Sequence, residues 1–291
     1  LFLTDTAVQP PVEICAVSIN CYTLNEDIIS ALCAPQATIS PKYFYDVYGS
    51  ALFERITRLP EYYPTRTEQA IMLQHGAQMA RHIAAETTVV ELGAGNCEKA
   101  RSLCALLQAN CFVAVDISAD FLYEAVDGLR CALPGLDIRT LVADLNDDIT
   151  LPDNLPPGPR LVFYPGSSIG NFDPEPALAL LRRMRGLLQE DGALLIGVDL
   201  IKDHATLEAA YNDADGVTAA FNLNALTHLN RLIGSNFELS HWQHRAWFNR
   251  EQSRIEAIAE IREHLSRLGR SGPRHRLRRS EDRRGIAQRQ P

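Results

Sequence analysis

The sequence predicts an α/β fold in which helices cover a mostly parallel sheet. Five short apolar runs between residues 87 and 200 read as strands, amphipathic helical stretches separate them, and the joins are short and rich in glycine. Such alternation produces right-handed crossovers, and ligands then lie beyond the carboxyl ends of the strands where the strand order reverses.

Residues 1–40 have weak periodicity and read as an irregular arm with one helix near Glu26–Cys33. The next stretch, PKYFYDVYGSALFERITRLPEYYPTRTE, packs Tyr43, Tyr45, Tyr48, Tyr62 and Tyr63 with Phe44 and Phe53 between prolines. So much aromatic hydroxyl suggests a pocket wall, with a tyrosine packing surface as the alternative. Thr65-Arg66-Thr67-Glu68 reads as a capping box that starts a helix over 66–85. TTVVELGAG then predicts a buried strand to Leu92, a glycine turn and a helix from about Cys97 to Gln108. CFVAVDIS is a second strand ending at Asp116, and Ser118 is placed to cap a helix that aligns Phe121, Leu122, Ala125, Val126 and Leu129 on one face. DIRTLVADL predicts a third strand, ending near Asp144, and RLVFYPGSSIGNF a fourth with a glycine-rich turn after it. Asp173 with Pro174 marks a helix start, Gly192 a helix end, and ALLIGVDL is the fifth strand.

Composition narrows the function classes. With 291 residues, 46% hydrophobic and 22% charged, the chain is of ordinary globular type and has no apolar run of the 18 or more residues that a membrane span needs. Its opening lacks a basic stretch followed by a long apolar one and does not read as a signal peptide, so a cytoplasmic location is expected. The net charge of −8 divides unevenly, because residues 261–291 hold 10 Arg against 3 acids, leaving −15 on the rest. An acidic body argues against nucleic-acid binding. Seven cysteines (15, 21, 33, 97, 104, 111 and 131) include no C-x-x-C pair and no nearby histidine at metal-ligand spacing, so buried free thiols and no metal are expected.

The loop Glu91-Leu92-Gly93-Ala94-Gly95-Asn96 follows the first strand and precedes a helix, where glycines let a ligand approach the backbone. Glu98 stands where a dinucleotide fingerprint needs its third glycine, and an acid there opposes a pyrophosphate, which disfavours a nicotinamide oxidoreductase. Asp116, 23 residues after Gly93, is placed to accept from ribose hydroxyls, and Asp144 from an adenine amino group. A structural turn or another nucleotide site is the alternative to each of these features alone. In this order they resemble the S-adenosylmethionine layout of class I methyltransferases, whose cationic sulfur suits an acidic pocket.

Three blocks carry a closer match. PKYFYDVYGSALFERITRLPEYYPTRTE, VVELGAGNCEKARSLC, and GSSIGNFDP followed by AAYNDADGVTAAFNLNALTHLNR resemble the amino-acid Nα-methyltransferase family over about residues 38–256. That resemblance implies a Rossmann-like sheet over 61–200, and a smaller substrate domain made of an N-terminal arm, 1–60, and an insertion, 201–256. It implies trimethylation of the α-amino group of L-histidine with S-adenosylmethionine, releasing S-adenosylhomocysteine, towards ergothioneine. Carried over, it puts Gly93, Lys99, Asp116 and Asp144 on the cofactor. Tyr63, the catalytic candidate, then stands beside the amine near the backbone of Gly166, while Asn171 and Tyr211 hold the substrate carboxylate and Tyr45 is a further wall candidate. By themselves Lys99 reads as a solvated helix residue, Asn171 as a turn cap and Tyr211 as a packing residue. In-line methyl transfer mainly requires alignment. Asn and Tyr fix a carboxylate without adding positive charge, and a tyrosine tolerates the growing ammonium.

Family members continue past the position of Arg254-Ile255-Glu256 with strands that carry an acid and a serine on the substrate imidazole. Here residues 257–291 show no strand alternation and no such pair, and the Arg-rich composition reads as replaced or out-of-frame sequence. A monomer acting on a small amino acid, without nucleic-acid or membrane partners, is expected. A cofactor-binding remnant without histidine turnover is the alternative.

Overall fold

Strand formation begins where β-branched and aromatic residues run together, and the computed structural model, which describes residues 21–261 and 285–290, places five such runs side by side. These are β1 (Thr88–Leu92), β2 (Cys111–Asp116), β3 (Asp137–Val142), β4 (Arg160–Tyr164) and β5 (Ala193–Ile196). All pair in parallel in the order β3-β2-β1-β4-β5, with Val90 level with both Val113 and Val162. The chain runs outward from β1 through β2 to β3, then crosses back to β4. The order therefore reverses between β1 and β4, and a crevice opens beyond their carboxyl ends.

Helices α4 (Glu98–Leu107) and α5 (Ala119–Ala132) cover one sheet face, where Leu103, Leu122 and Val126 pack on Val89 and Phe112. On the other face α6 (Pro174–Leu187) presents Leu180, Met184 and Leu187 to Val90, Val113 and Val162.

A second core lies apart from this one. It gathers α1 (Cys21–Cys33), the 3-10 turn Pro41–Phe44, α2 (Val47–Ile56), α7 (His204–Ala209) and α8 (Val217–Ile233). An antiparallel sheet joins them, with β6 (Trp242–Asn249), β7 (Arg254–Ile261) and β8 (Gly285–Gln290) in that order. Phe44, Phe53 and Tyr45 surround Phe221 of α8 at centroid distances of 5.5 to 6.0 Å. Asp46 caps α2 through the Gly49 N–H at 2.8 Å and also accepts from Asn224 and Arg231 of α8. One carboxylate thus starts one helix and fastens another.

Several local expectations give way to tertiary contacts. Helix α3 (Tyr63–Ala80) begins with Tyr62 as its N-cap and Pro64 in its first turn, so Thr65 and Glu68 lie inside the helix and form no capping box. Ser118 and Asp173 stand at N-caps without side-chain caps, and Asp173 instead accepts from Arg254 at 3.2 Å. Gly192 is not a helix end, because α6 stops at Leu187; it lies in the turn before β5, where a Cβ would come within 2.9 Å of two carbonyl oxygens. Cys97, Cys104 and Cys111 are buried as expected, whereas Cys33 and Cys131 are exposed. Residues 257–261 do continue a strand, and 285–290 pair with it. Ala257 and Ala259 point inward there, and such small residues leave only a weak alternating signal. The arm over 1–20, with Cys15, and the Arg-rich stretch over 262–284 lie outside the described residues. Among those described, no helix is long and apolar enough to cross a membrane.

His244 of β6 ties this second sheet to the Tyr211 turn. Its Nε2–H donates to the Tyr211 carbonyl at 2.8 Å, and its Nδ1 accepts from Asn222, whose amide also donates to the Ile258 carbonyl. Burial pushes the imidazole below its ordinary pKa, against the opposing pull of the Tyr211 carbonyl and Asp213. The unfolded chain therefore takes up this proton first as pH falls below about 6.5, and stability falls with it. His244→Gln is expected to flatten that part of a urea-stability profile between pH 7 and 5, and an unchanged slope counts against a neutral buried His244.

Candidate active site

The crevice beyond β1 and β4 opens into a cavity of about 520 Å³ between the parallel sheet and the second core. Its floor is the glycine turn after β1. Gly93 and Gly95 take φ of +69° and +52°, and a Cβ on either would meet nothing within 4 Å, so the backbone faces open space. The Gly93 and Ala94 N–H groups donate to the Val115 carbonyl at 2.8 and 3.0 Å, and Asp116 Oδ2 accepts from Gly95 at 3.0 Å. Asp116 thus shapes the turn while lining the cavity. Burial raises its pKa, opposed by the Ser118 and Gly95 N–H groups.

Acidic groups dominate this end. Glu91 is buried in the cavity wall, and its Oε2 has no hydrogen-bond donor among the described residues. Burial drives its pKa well up, with Lys99 pulling the other way and Asp116 and Glu68 adding to the rise. Asp144 accepts from Lys42 at 2.6 Å and from the Asn146 N–H at 2.9 Å. Burial opposes its charge and is the largest single influence, but the Lys42 ammonium and the Asn146 donors together outweigh it and hold the carboxyl below its usual range. Lys42 belongs to the Pro41–Phe44 turn, so this pair straps the second core across the cavity mouth.

The opposite end is aromatic. A side chamber of about 30 Å³ is lined by Tyr45, Tyr62, Gly166, Asn171, Tyr211 and Phe221 among others, and none of its described lining residues is an acid or a histidine. Tyr62 meets the Tyr211 ring edge-on at 6.0 Å. Burial raises the pKa of Tyr45, Tyr62 and Tyr211, so their hydroxyls stay protonated. Asn212 bonds both the carbonyl and N–H of Ala246, and Asp213 accepts the first N–H groups of α8 at 2.8 and 2.7 Å. With His244, these neighbours fix Tyr211 from three sides. Asn171 ends the 3-10 turn Ser168–Asn171, and β8 passes beside that turn.

Gly93, Lys99, Asp116, Asp144, Gly166, Asn171 and Tyr45 therefore converge on the main cavity as the sequence suggested, and Tyr211 reaches its side chamber. Tyr63 does not. It lines neither space, and its hydroxyl donates instead to Asp199. Tyr63 is the first residue of α3 while Tyr62, its N-cap, keeps a non-helical backbone, and of the two only Tyr62 takes the cavity side. The Tyr62-Tyr63 doublet alone leaves that choice open, although Pro64 marks the helix start that decides it.

Sequence reasoning also missed Lys42 and Glu68. Glu68 Oε1 accepts from the Gly166 N–H at 2.8 Å and its Oε2 pairs with Lys99 at 2.5 Å, so one carboxylate joins α3, α4 and the turn after β4. The left-over acid of a supposed capping box was the signal for it. Buried thiols take no part: burial pushes Cys104 and Cys111 up to about 12, which keeps them protonated.

The sequence also matches known proteins. A family model described as histidine-specific methyltransferase, SAM-dependent, matches residues 24–282, well past residue 256 where the motif resemblance ends. The histidine N-alpha-methyltransferase of Mycolicibacterium smegmatis is 40% identical over 237 residues, covering 80% of this chain and 73% of its own. That of Mycobacterium tuberculosis is 39% identical over 238 residues, with the same coverages. Ergothioneine biosynthesis protein 1 of Neurospora crassa is 34% identical over 197 residues, covering 65% of this chain and 22% of its own.

Proposed function

The chain belongs to the histidine-specific, SAM-dependent methyltransferase family, and on that premise we propose that it transfers methyl groups from S-adenosylmethionine to the α-amino group of L-histidine. Successive transfers give the trimethylated amino acid, a step towards ergothioneine. The observation that carries this reading is one cavity with an acidic, glycine-floored end and a tyrosine- and asparagine-lined chamber.

The residues present fit the cofactor. Open space over Gly93 and Gly95 accommodates a ligand against the backbone, and the orphaned Glu91 oxygen suits a cationic one. Gly93, Lys99, Asp116 and Asp144 would hold it, with Asp116 taking ribose hydroxyls and Asp144 sharing its oxygens between an adenine amino group and Lys42. When bound, the cofactor supplies an electrophilic methyl group.

Alignment is the chain's own part of the reaction. Asn171 and Tyr211 take the substrate carboxylate, while Tyr62, in place of Tyr63, stands with Gly166 beside the amine. The Gly166 N–H is already given to Glu68, so this glycine offers proximity and its carbonyl rather than a donor. With no acid or histidine among the described chamber residues, solvent takes the proton that the ammonium must lose before attack. A second reading rests on β8, whose GIAQRQ brings neither a carboxylate nor a serine beside the Ser168–Asn171 turn. It is cofactor binding without histidine turnover.

Calorimetric titration with S-adenosylhomocysteine, followed by histidine, separates the two. Binding of both, with methylated histidine detected by mass spectrometry once S-adenosylmethionine is supplied, is the expected result. Binding of the first ligand alone leaves the second reading standing. Asp116→Ala is expected to weaken S-adenosylhomocysteine binding by about 1–3 kcal/mol, the cost of hydroxyls left unpaired, and unchanged affinity removes the ribose assignment. Asn171→Ala is expected to raise the KM for histidine far more than that for the cofactor, so equal effects on both would argue against a carboxylate contact.

A further inference from the structure

We propose that Tyr63, Asp199 and Lys202 form a positioning cluster that holds the substrate end of the cavity in one geometry, acting through Tyr62 and the Gly166–Asn171 turn. The proposal deepens the reading above and rests on it for the identity of the substrate.

All three lie outside both cavity walls, yet their bonds close on one another. Tyr63 donates its hydroxyl hydrogen to Asp199. Lys202 Nζ donates to the Tyr63 oxygen at 2.9 Å, to Asp199 Oδ1 at 2.6 Å and to the Leu200 carbonyl at 2.6 Å, and it stands 4.4 Å from the Tyr63 ring centroid. The ammonium thus has three acceptors and a ring face, which uses its whole donor capacity. Such a closed set fixes each side chain more firmly than any single bond.

From this cluster the chamber is one covalent step away on two sides. On the first, Tyr63 is bonded to Tyr62, whose ring packs on Tyr211. On the second, the Asp199 N–H donates to Ser167 Oγ at 2.8 Å, and Ser167 follows Gly166. Gly166 and Ser167 take consecutive positive φ values of +78° and +58°, a backbone shape that a non-glycine residue adopts only under outside constraint. The Ser167–Asp199 bond supplies that constraint from β4's neighbour, and Glu68 supplies another at Gly166. Neither contact touches the glycine turn at Gly93 and Gly95. Lys99 is held by Glu68 and not by the cluster, whose own bond to the turn is the one to Ser167, so the cluster acts on amino-acid placement rather than through the cofactor residues.

Tyr63→Phe keeps the ring and loses the hydroxyl, and Asp199→Asn loses the charge. In each, the KM for histidine is expected to rise about tenfold, while S-adenosylhomocysteine affinity and the urea-unfolding midpoint stay at the wild-type value. The double variant should do no worse than the poorer single one, since both break the same set. Lys202→Met should reproduce the effect and Lys202→Arg restore it. Hydrogen exchange on the S-adenosylhomocysteine complex should show faster exchange over 166–171 in Tyr63→Phe, with β1 and β2 unchanged. Parallel losses of cofactor affinity, KM and unfolding midpoint overturn the proposal in favour of general stability, and so does unchanged exchange over 166–171. A wild-type chain inert towards histidine overturns the substrate reading alone, because the exchange comparison still decides the cluster's role.

Discussion

The Glu68 carboxylate is the contact on which the rest of the site depends. It takes the Gly166 N–H with one oxygen and the Lys99 ammonium with the other, and so fastens α3, the turn after β4 and the helix after the glycine loop to one point. Gly197, just past β5, leaves room for this carboxylate, because a Cβ there would crowd its Oε1 and the carboxylate would have to shift. A partly buried charge without a partner is costly, whereas Lys99 and a backbone donor satisfy this one where the strand order reverses. Removing the carboxylate would take away one of the contacts that hold the Gly166 turn and the ion-pair partner of Lys99.

Around that point the two cores divide the chemistry by composition. The parallel sheet presents carboxylates near the carboxyl ends of three strands, Glu91 in β1, Asp116 at the end of β2 and Asp144 just past β3, where they line the cavity. The second core presents tyrosines, with Tyr45 packed on Phe221 and Tyr62 on Phe53, and burial keeps their hydroxyls neutral. A cationic methyl donor fits the first environment. An amine that becomes positively charged as it reacts fits the second, where aromatic faces tolerate the charge without an anion that would trap it.

Much of this was legible along the chain. The β–α alternation from Thr88 to Ile196, the glycine turn and Asp116 each carry a local mark: an apolar run, two glycines free to take positive φ, and an acid at a strand end. Less legible were elements whose marks are faint or ambiguous. Ala257 and Ala259 face inward in β7, yet alanine hardly registers as a strand former, and the Arg-rich residues that follow obscured the pairing of β7 with β8. Thr65 and Glu68 had the spacing of a cap but the wrong place in the helix, since Pro64 set its start earlier.

By itself the sequence determined the order of strands and helices from Thr88 to Ile196 and the glycine loop between the first two of them, because these follow from periodicity and backbone preference over a few neighbours. Only the tertiary structure decided that Tyr62 rather than Tyr63 faces the chamber, that Lys42 spans to Asp144, and that Glu68 serves Gly166 instead of its own helix end. The physical reason is distance along the chain. Lys42 and Asp144 are 102 residues apart and Glu68 and Gly166 are 98, so their bonds arise only once the sheet has brought remote segments together, and no local pattern encodes them.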